Sequence, residues 1–278
     1  MVLLINQYLV QAYRIPTGSM IDTLNIGDHV FVNKLVYGPE LLPGLAKLPS
    51  PFQPKRNDII IFESPAYISR GTVFDIAQRV IYMLTLSFVD IDRDEKGEPR
   101  VHFLIKRAVG QGGDRFKIEN GNMKIMFAGE DRWVDEREYN TARGWNHNIT
   151  RLVPQENYAV LEAAGKTRGW SESMMSVSQE LIGKSAEIER MVYGDIFTFH
   201  NARFETLRKA AVHNKRHATR HVREHALGWY IPEGRVFPMG DNRDSSNDGR
   251  NFGPVRKSKV LGSGMFIYWP IWRMNSIN

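Results

Sequence analysis

The sequence predicts a mainly β fold, with a β core assembled from both ends of the chain and interrupted by an α-containing inserted domain. Two observations carry this expectation. Runs rich in β-branched and aromatic residues at 28–36 (DHVFVNKLV), 58–62 (DIIIF) and 101–109 (VHFLIKRAV) are bounded by Gly, Pro and Asn, the usual punctuation of strands. The segments 235–239 and 260–268 repeat that texture near the other end. Between them the texture changes: 156–164, 171–191 and 204–227 read as helices, the last free of Gly and Pro until Gly228 stops it. Within 115–125 the pair Asn120-Gly121 separates two alternating stretches, a hairpin signal. The core is therefore expected over 15–127 and 229–278, the insert over 128–228. A smaller interruption, 66–100, separates two core strands, and 1–14 stands apart as an N-terminal segment.

With 278 residues, 42% hydrophobic and 24% charged, the chain is long enough to bury a real core. A formal charge of +6 and a pI near 9.4 suit an anionic partner, either a phospholipid surface or a nucleic acid. The absence of cysteine excludes disulfides, thiolate metal sites and cysteine nucleophiles. No stretch reaches the 18 or so apolar residues of a spanning helix: 2–10 is too short, and Gln78 and Arg79 interrupt 76–91. The segment 2–10 also lacks the basic flank and small-residue cleavage site of a signal peptide.

Chemistry on a peptide bond needs a nucleophile, a base and a pocket for the oxyanion. In 14–20 (RIPTGSM), Gly18 permits a tight turn and Pro16 fixes the approach to Ser19. Alone, such a serine is bland. Lys106 lies inside an apolar strand, where period-two alternation gives it one face with His102, Leu104 and Ala108. A lysine held among apolar side chains loses charge stabilisation and its pKa falls, as a general base requires; the alternative is a lysine that snorkels to solvent. The segment 239–250 (MGDNRDSSNDGR) is a dense polar turn, a composition that also occurs at ordinary surface turns.

The serine segment, 56–62, 103–110 and the polar turn, taken in this order, resemble the successive sequence boxes of the bacterial type I signal peptidases. The resemblance covers both β-rich ends and fades in the two inserts. It implies a signal-peptidase-like β core and a serine endopeptidase with a Ser/Lys dyad, needing no cofactor. Ser19 would be the nucleophile and Lys106 the base, with the Ser19 backbone N–H and the Thr17 hydroxyl holding the oxyanion. Ser246 falls where the family has a serine that orients the lysine amine, and Asp248 and Arg250 where it has a bracing ion pair. Ile15, Pro16, Met20, Leu24 and Ile105 would wall shallow pockets for the small residues that precede the cut in secretory preproteins. At Asp22 many relatives have Pro.

The resemblance also implies the bacterial inner membrane as location, with the catalytic domain on its extracytoplasmic side, anionic phospholipid as a partner and no nucleic acid. Relatives carry a spanning helix just before the serine segment; here eighteen residues precede Ser19. Membrane contact is then expected either from a segment outside this sequence or from 76–89 lying on the bilayer, and packing of 76–89 on the core is the equal alternative. His213, His217, His221 and His225 recur every four residues, but the Lys and Arg among them repel a metal ion, so a basic face toward lipid or a solvated helix is the better reading. A calcium loop starting at Asp244 fails because its twelfth position is Val255. Two rivals remain: a self-cleaving or regulatory Ser/Lys protease, and a non-catalytic basic protein binding membrane or nucleic acid.

Overall fold

The computed structural model describes residues 8–39, 47–98, 100–119, 121–192, 194–210 and 228–277. Its strands are β1 (Val10–Arg14), β2 (His29–Asn33), β3 (Ile59–Glu63), β4 (Phe103–Gln111), β5 (Arg115–Glu119), β6 (Asn122–Met126), β7 (Val134–Asp135), β8 (Trp229–Tyr230), β9 (Arg235–Met239), β10 (Val255–Arg256), β11 (Val260–Trp269) and β12 (Asn275–Ser276). The helices are α1 (Thr72–Leu84), α2 (Glu136–Ala142), α3 (Tyr158–Glu172), α4 (Gln179–Ala186), α5 (Ile196–Ala210) and α6 (Gly249–Phe252). The mainly β expectation holds.

The chain forms two compact units, one of residues 1–111 and 234–278, the other of 112–233. In the first, an antiparallel sheet runs in the order β1-β2-β11-β3-β4-β9-β10, with β12 added on β11. Strand β3 explains why 59–62 is apolar at every position. Ile59 and Ile61 join a core with Met20, Leu24, Val30 and Ile105, whereas Ile60 and Phe62 join another with Ala108, Val236 and Val260. A strand covered on both faces gains from an apolar residue at each position, roughly 1.5–3 kcal/mol per large side chain.

The hairpin of β1 and β2 pairs Val10 with Asn33 and Arg14 with His29, so the connection 15–28 carries Ser19. No strand is expected from sequence at β1, whose consecutive Gln11, Ala12 and Tyr13 are all buried and show no alternation. The interruption 66–100 is organised by α1, whose Gln78, Tyr82 and Met83 are buried. The Tyr82 hydroxyl accepts the Arg14 backbone N–H at 3.1 Å, which ties the helix to the end of β1.

In the second unit, β5 and β6 pair with each other and with β8 and β7. The hairpin 115–126 and residues 229–230 therefore lie in the insert's own sheet, although sequence groups them with the core. Gly121 takes φ +71°, and a Cβ there would meet the Tyr158 ring at 2.3 Å; both the turn and the packing require glycine. Asn120 lies outside the described residues. The helical stretch read at 171–191 is broken: α3 ends at Glu172, Met174 takes φ +55°, and α4 begins after Ser178 caps Leu181 N–H. Residues 211–227, with the four periodic histidines, lie outside the described residues.

Candidate active site

The Ser19 turn is a 3-10 turn over Gly18–Met20, anchored because Met20 is buried beneath it and Leu24 N–H donates to Met20 O at 2.7 Å. Lys106 reaches the turn from β4. It shares a face with Leu104 and Ala108 and pairs across the ladder with Ile60, so its stem is packed among apolar side chains and only 2% exposed. Its Nζ stands 2.6 Å from Ser19 Oγ and donates to Ile105 O at 2.9 Å. Burial drives the amine's pKa down from 10.5 to about 8, against the upward pull of the Asp248 and Asp241 carboxylates. Ser19 is itself buried. Thr17 Oγ1 lies 3.4 Å from Ser19 Oγ, on the exposed side of the turn.

The polar turn closes the site from the other side. Asn242 N–H donates to Ser19 O at 3.1 Å, and Asn242 Nδ2 donates to Gly18 O at 3.0 Å, so one residue holds the backbone of the Ser19 turn at two points. Asp248, fully buried, accepts from Arg250 Nε and Nη2 at 2.9 and 3.0 Å and from Gly240 N–H at 2.9 Å. Burial alone would raise its carboxyl, but the Arg250 guanidinium and these hydrogen bonds hold its pKa below the usual carboxylate value. Gly240 is obligatory here: a Cβ would lie 2.3 Å from Ser246 Oγ and 2.4 Å from Ser19 O.

Ser246 therefore stands where sequence places it, beside Ser19. Its hydroxyl makes no hydrogen bond to Lys106 among the described residues, because the amine is already directed at Ser19 Oγ and at its own strand's carbonyl. Ile15, Pro16, Met20 and Ile105 line a cleft of about 210 Å³ that also contains Ser19 and Lys106. Leu24 does not line it. Sequence made Leu24 a pocket wall, but it is wholly buried in the core below the turn, where it holds Met20 from beneath.

Sequence reasoning missed a second buried ion pair. Arg107, the neighbour of Lys106 on the opposite face of β4, grips Asp241 with Nε–Oδ1 at 2.8 Å and Nη2–Oδ2 at 2.7 Å. Thr23 Oγ1 donates to the same carboxylate at 2.6 Å, and Arg107 Nη1 donates to Asn57 O at 3.1 Å. The alternation that pointed to Lys106 also put Arg107 on the other face, and an arginine buried there demands a carboxylate. His102 is fixed elsewhere: its Nε2 lies 2.9 Å from Asp92 Oδ2 and its ring packs on Tyr67 at 4.1 Å. Burial lowers its pKa, against the pull of Asp90 and Asp92.

Comparison with known proteins follows this geometry. The family model described as "Signal peptidase, peptidase S26" matches residues 1–269. The chain is 27% identical to signal peptidase I of Haemophilus influenzae over 96% of its own length and 65% of that relative's. It is 24% identical to signal peptidase I of Aquifex aeolicus, covering 96% of this chain and 79% of the relative. The enzyme of the same name from Pseudomonas aeruginosa is also 24% identical, over 99% of this chain and 71% of the relative. With a family match running through both β-rich ends and the insert between them, the chain belongs to the signal peptidase family, peptidase S26.

Proposed function

We propose that this protein is a signal peptidase I, an endopeptidase that removes N-terminal signal peptides from exported preproteins by cutting after small residues, with Ser19 as nucleophile and Lys106 as general base. The observation that carries the reading is the 2.6 Å approach of a buried, pKa-lowered amine to a serine hydroxyl. At a pKa near 8, roughly a tenth of the lysine is neutral at pH 7 and nearly all is neutral by pH 9.

Neutral Lys106 accepts the Ser19 hydroxyl proton while Oγ attacks the scissile carbonyl carbon. The oxyanion is held by the Ser19 backbone N–H and the Thr17 hydroxyl, preorganised donors that stabilise developing charge by several kcal/mol. The Lys106 ammonium then protonates the leaving amine, and water activated by the same lysine hydrolyses the ester. Substrate lies extended along the cleft beside β4, its main chain pairing with the strand and its small side chains entering the pockets walled by Ile15, Met20 and Ile105. Asp248, Arg250 and Ser246 brace the turn behind the dyad. Incubation with a secretory precursor in detergent, followed by sequencing of the new N-terminus, tests this: a cut after a small residue is expected, and an intact precursor refutes it.

For the membrane partner, the supporting observation is an apolar rim. Trp272 is 83% exposed and Ile271 65%, and the Tyr268 hydroxyl beside them donates to Leu86 O at 2.9 Å, which brings in exposed Leu86 and Phe88. Tryptophan and aliphatic side chains standing in water suit the interfacial region of a bilayer. Most of 76–84 packs on the core through α1, so the lipid-facing part narrows to 84–89 with 269–274. Among the described residues no helix is long and apolar enough to cross a membrane. Co-sedimentation with anionic vesicles should weaken in Phe88→Ser/Trp272→Ser; unchanged binding refutes this placement.

A further inference from the structure

The serine segment, the lysine strand and the polar turn meet at one carboxylate. Asp241 is wholly buried and lies one residue before Asn242, whose donors hold Gly18 O and Ser19 O. Arg107 forks onto Asp241 through Nε at 2.8 Å and Nη2 at 2.7 Å, and lies one residue after Lys106 on β4. Thr23 lies four residues after Ser19. Its Oγ1 donates to Asp241 Oδ2 at 2.6 Å and stands 3.4 Å from Arg107 Nη2. One hydroxyl thus fastens the serine segment both to the polar turn and to the strand that carries the lysine.

Asn242 secures the upstream half of the Ser19 turn. On the downstream half, Met20 and Leu24 sink into the core, and apolar burial is non-directional, so it fixes depth better than lateral position. A hydrogen bond to a buried, charged acceptor is directional and contributes about 1.5–3 kcal/mol. Lateral position matters because Ser19 Oγ and Lys106 Nζ are 2.6 Å apart, and a misplacement of about 1 Å can slow a reaction roughly a hundredfold. The same bond acts on the amine. Burial lowers the Lys106 pKa, while Asp248 and Asp241 pull it back up. Asp248 is matched by Arg250, and His102, on the lysine's own strand face, is committed to Asp92. At Asp241, Thr23 adds a donor to those of Arg107 and draws off part of the charge that acts on the amine.

We propose that Thr23 is a positioning residue of the dyad, its hydroxyl holding the serine segment against β4 and moderating the pull of Asp241 on Lys106. This deepens the peptidase reading above and rests on its assignment of Ser19 and Lys106. The test compares Thr23→Val, which keeps the shape and removes the donor, with Thr23→Ser, which keeps the donor. Cleavage of a secretory precursor gives kcat and KM. An NMR titration of isotope-labelled lysine gives the midpoint of the Lys106 amine without any cleavage, its resonance identified by its absence from Lys106→Met. In Thr23→Val, kcat should fall about thirtyfold with KM changed less than about twofold, and the midpoint should rise by about half a unit. Thr23→Ser should keep kcat within about threefold of the unaltered protein and restore its midpoint. An unchanged midpoint in Thr23→Val overturns the proposal, as does a kcat in Thr23→Ser as low as in Thr23→Val. A precursor left intact by the unaltered protein refutes the peptidase reading instead, and the midpoint then still decides whether Thr23 acts on Lys106.

Discussion

Replacing Lys106 by Met removes the amine while keeping an unbranched stem among Leu104, Ala108 and Ile60, and its effect on stability should depend on pH in a way no simple packing change would. The lysine's pKa falls from 10.5 to about 8 on folding, chiefly through burial. At about 1.4 kcal/mol for each tenfold change in the proton equilibrium, this places a penalty of about 3 kcal/mol on the folded protein wherever the unfolded chain holds a proton that the fold disfavours. The sign follows from the direction of the shift. Below about pH 8 both states carry the proton and the penalty is present in full. Between 8 and 10.5 the folded state has released it, the unfolded state has not, and the penalty fades. The Met variant loses the contacts to Ser19 Oγ and Ile105 O, a roughly constant loss on the order of 1 kcal/mol each. Its stability relative to the unaltered protein should therefore drop by about 3 kcal/mol between pH 6.5 and pH 10.5, whatever the constant offset. Urea denaturation of both proteins at matched pH values measures this. A difference that is flat with pH, or that grows with it, would refute a desolvated Lys106.

Ser19→Ala and Lys106→Ala should each abolish precursor cleavage with the fold retained; substantial turnover by either folded variant sinks the dyad. Cleavage by the unaltered protein should rise through about pH 8, following the Lys106 amine, and that limb should survive in His102→Ala, since His102 is anchored to Asp92; its disappearance would make His102 the base. Gly240→Ala drives a methyl into Ser246 Oγ and Ser19 O, and should lower kcat about a hundredfold or more, read against a small change in melting temperature; near-normal kcat would show that the turn yields. Arg107→Met leaves Asp241 buried without its cation and should destabilise the protein by about 3–5 kcal/mol, whereas a loss under 1 kcal/mol in a denaturation series would mean water replaces the guanidinium.

What sequence made legible was whatever local periodicity encodes. Alternation in β4 gave Lys106 its face, and the β-branched run within 58–62 announced a strand. The resemblance to the signal peptidases, and no local periodicity, singled out Ser19 in the Gly18 turn and Ser246, Asp248 and Arg250 in the polar turn. Contacts between segments distant in sequence were not legible. Nothing local distinguishes Leu24, which supports the turn from below, from Ile15, which walls the cleft. Arg107 and Asp241 are 134 residues apart, and only the pairing of β4 with β9 brings them together. The helix α1 had the apolar positions of an interfacial segment, and burial of Gln78, with Nε2 on Asp90, shows packing to be its main use. The hairpin 115–126 carried the same alternation as the core strands, and alternation reports that a face is buried without saying against which sheet.

The two ion pairs explain why the amine rests near 8. Burial alone would carry the Lys106 pKa lower, and the carboxylates of Asp248 and Asp241 pull it back. Unscreened carboxylates in a buried site would favour the ammonium strongly enough to keep Lys106 charged well above neutral pH. Each is instead neutralised at contact distance, Asp248 by Arg250 and Asp241 by Arg107, so the amine meets two nearly cancelled dipoles. The same carboxylates fix the scaffold: Asp248 holds Gly240 N–H, and Asp241 precedes Asn242, whose side chain and N–H hold the Ser19 turn. In the proposed mechanism, positioning of Ser19 and tuning of Lys106 thus depend on the same pair of acids, and the arginines let them do the first without overdoing the second.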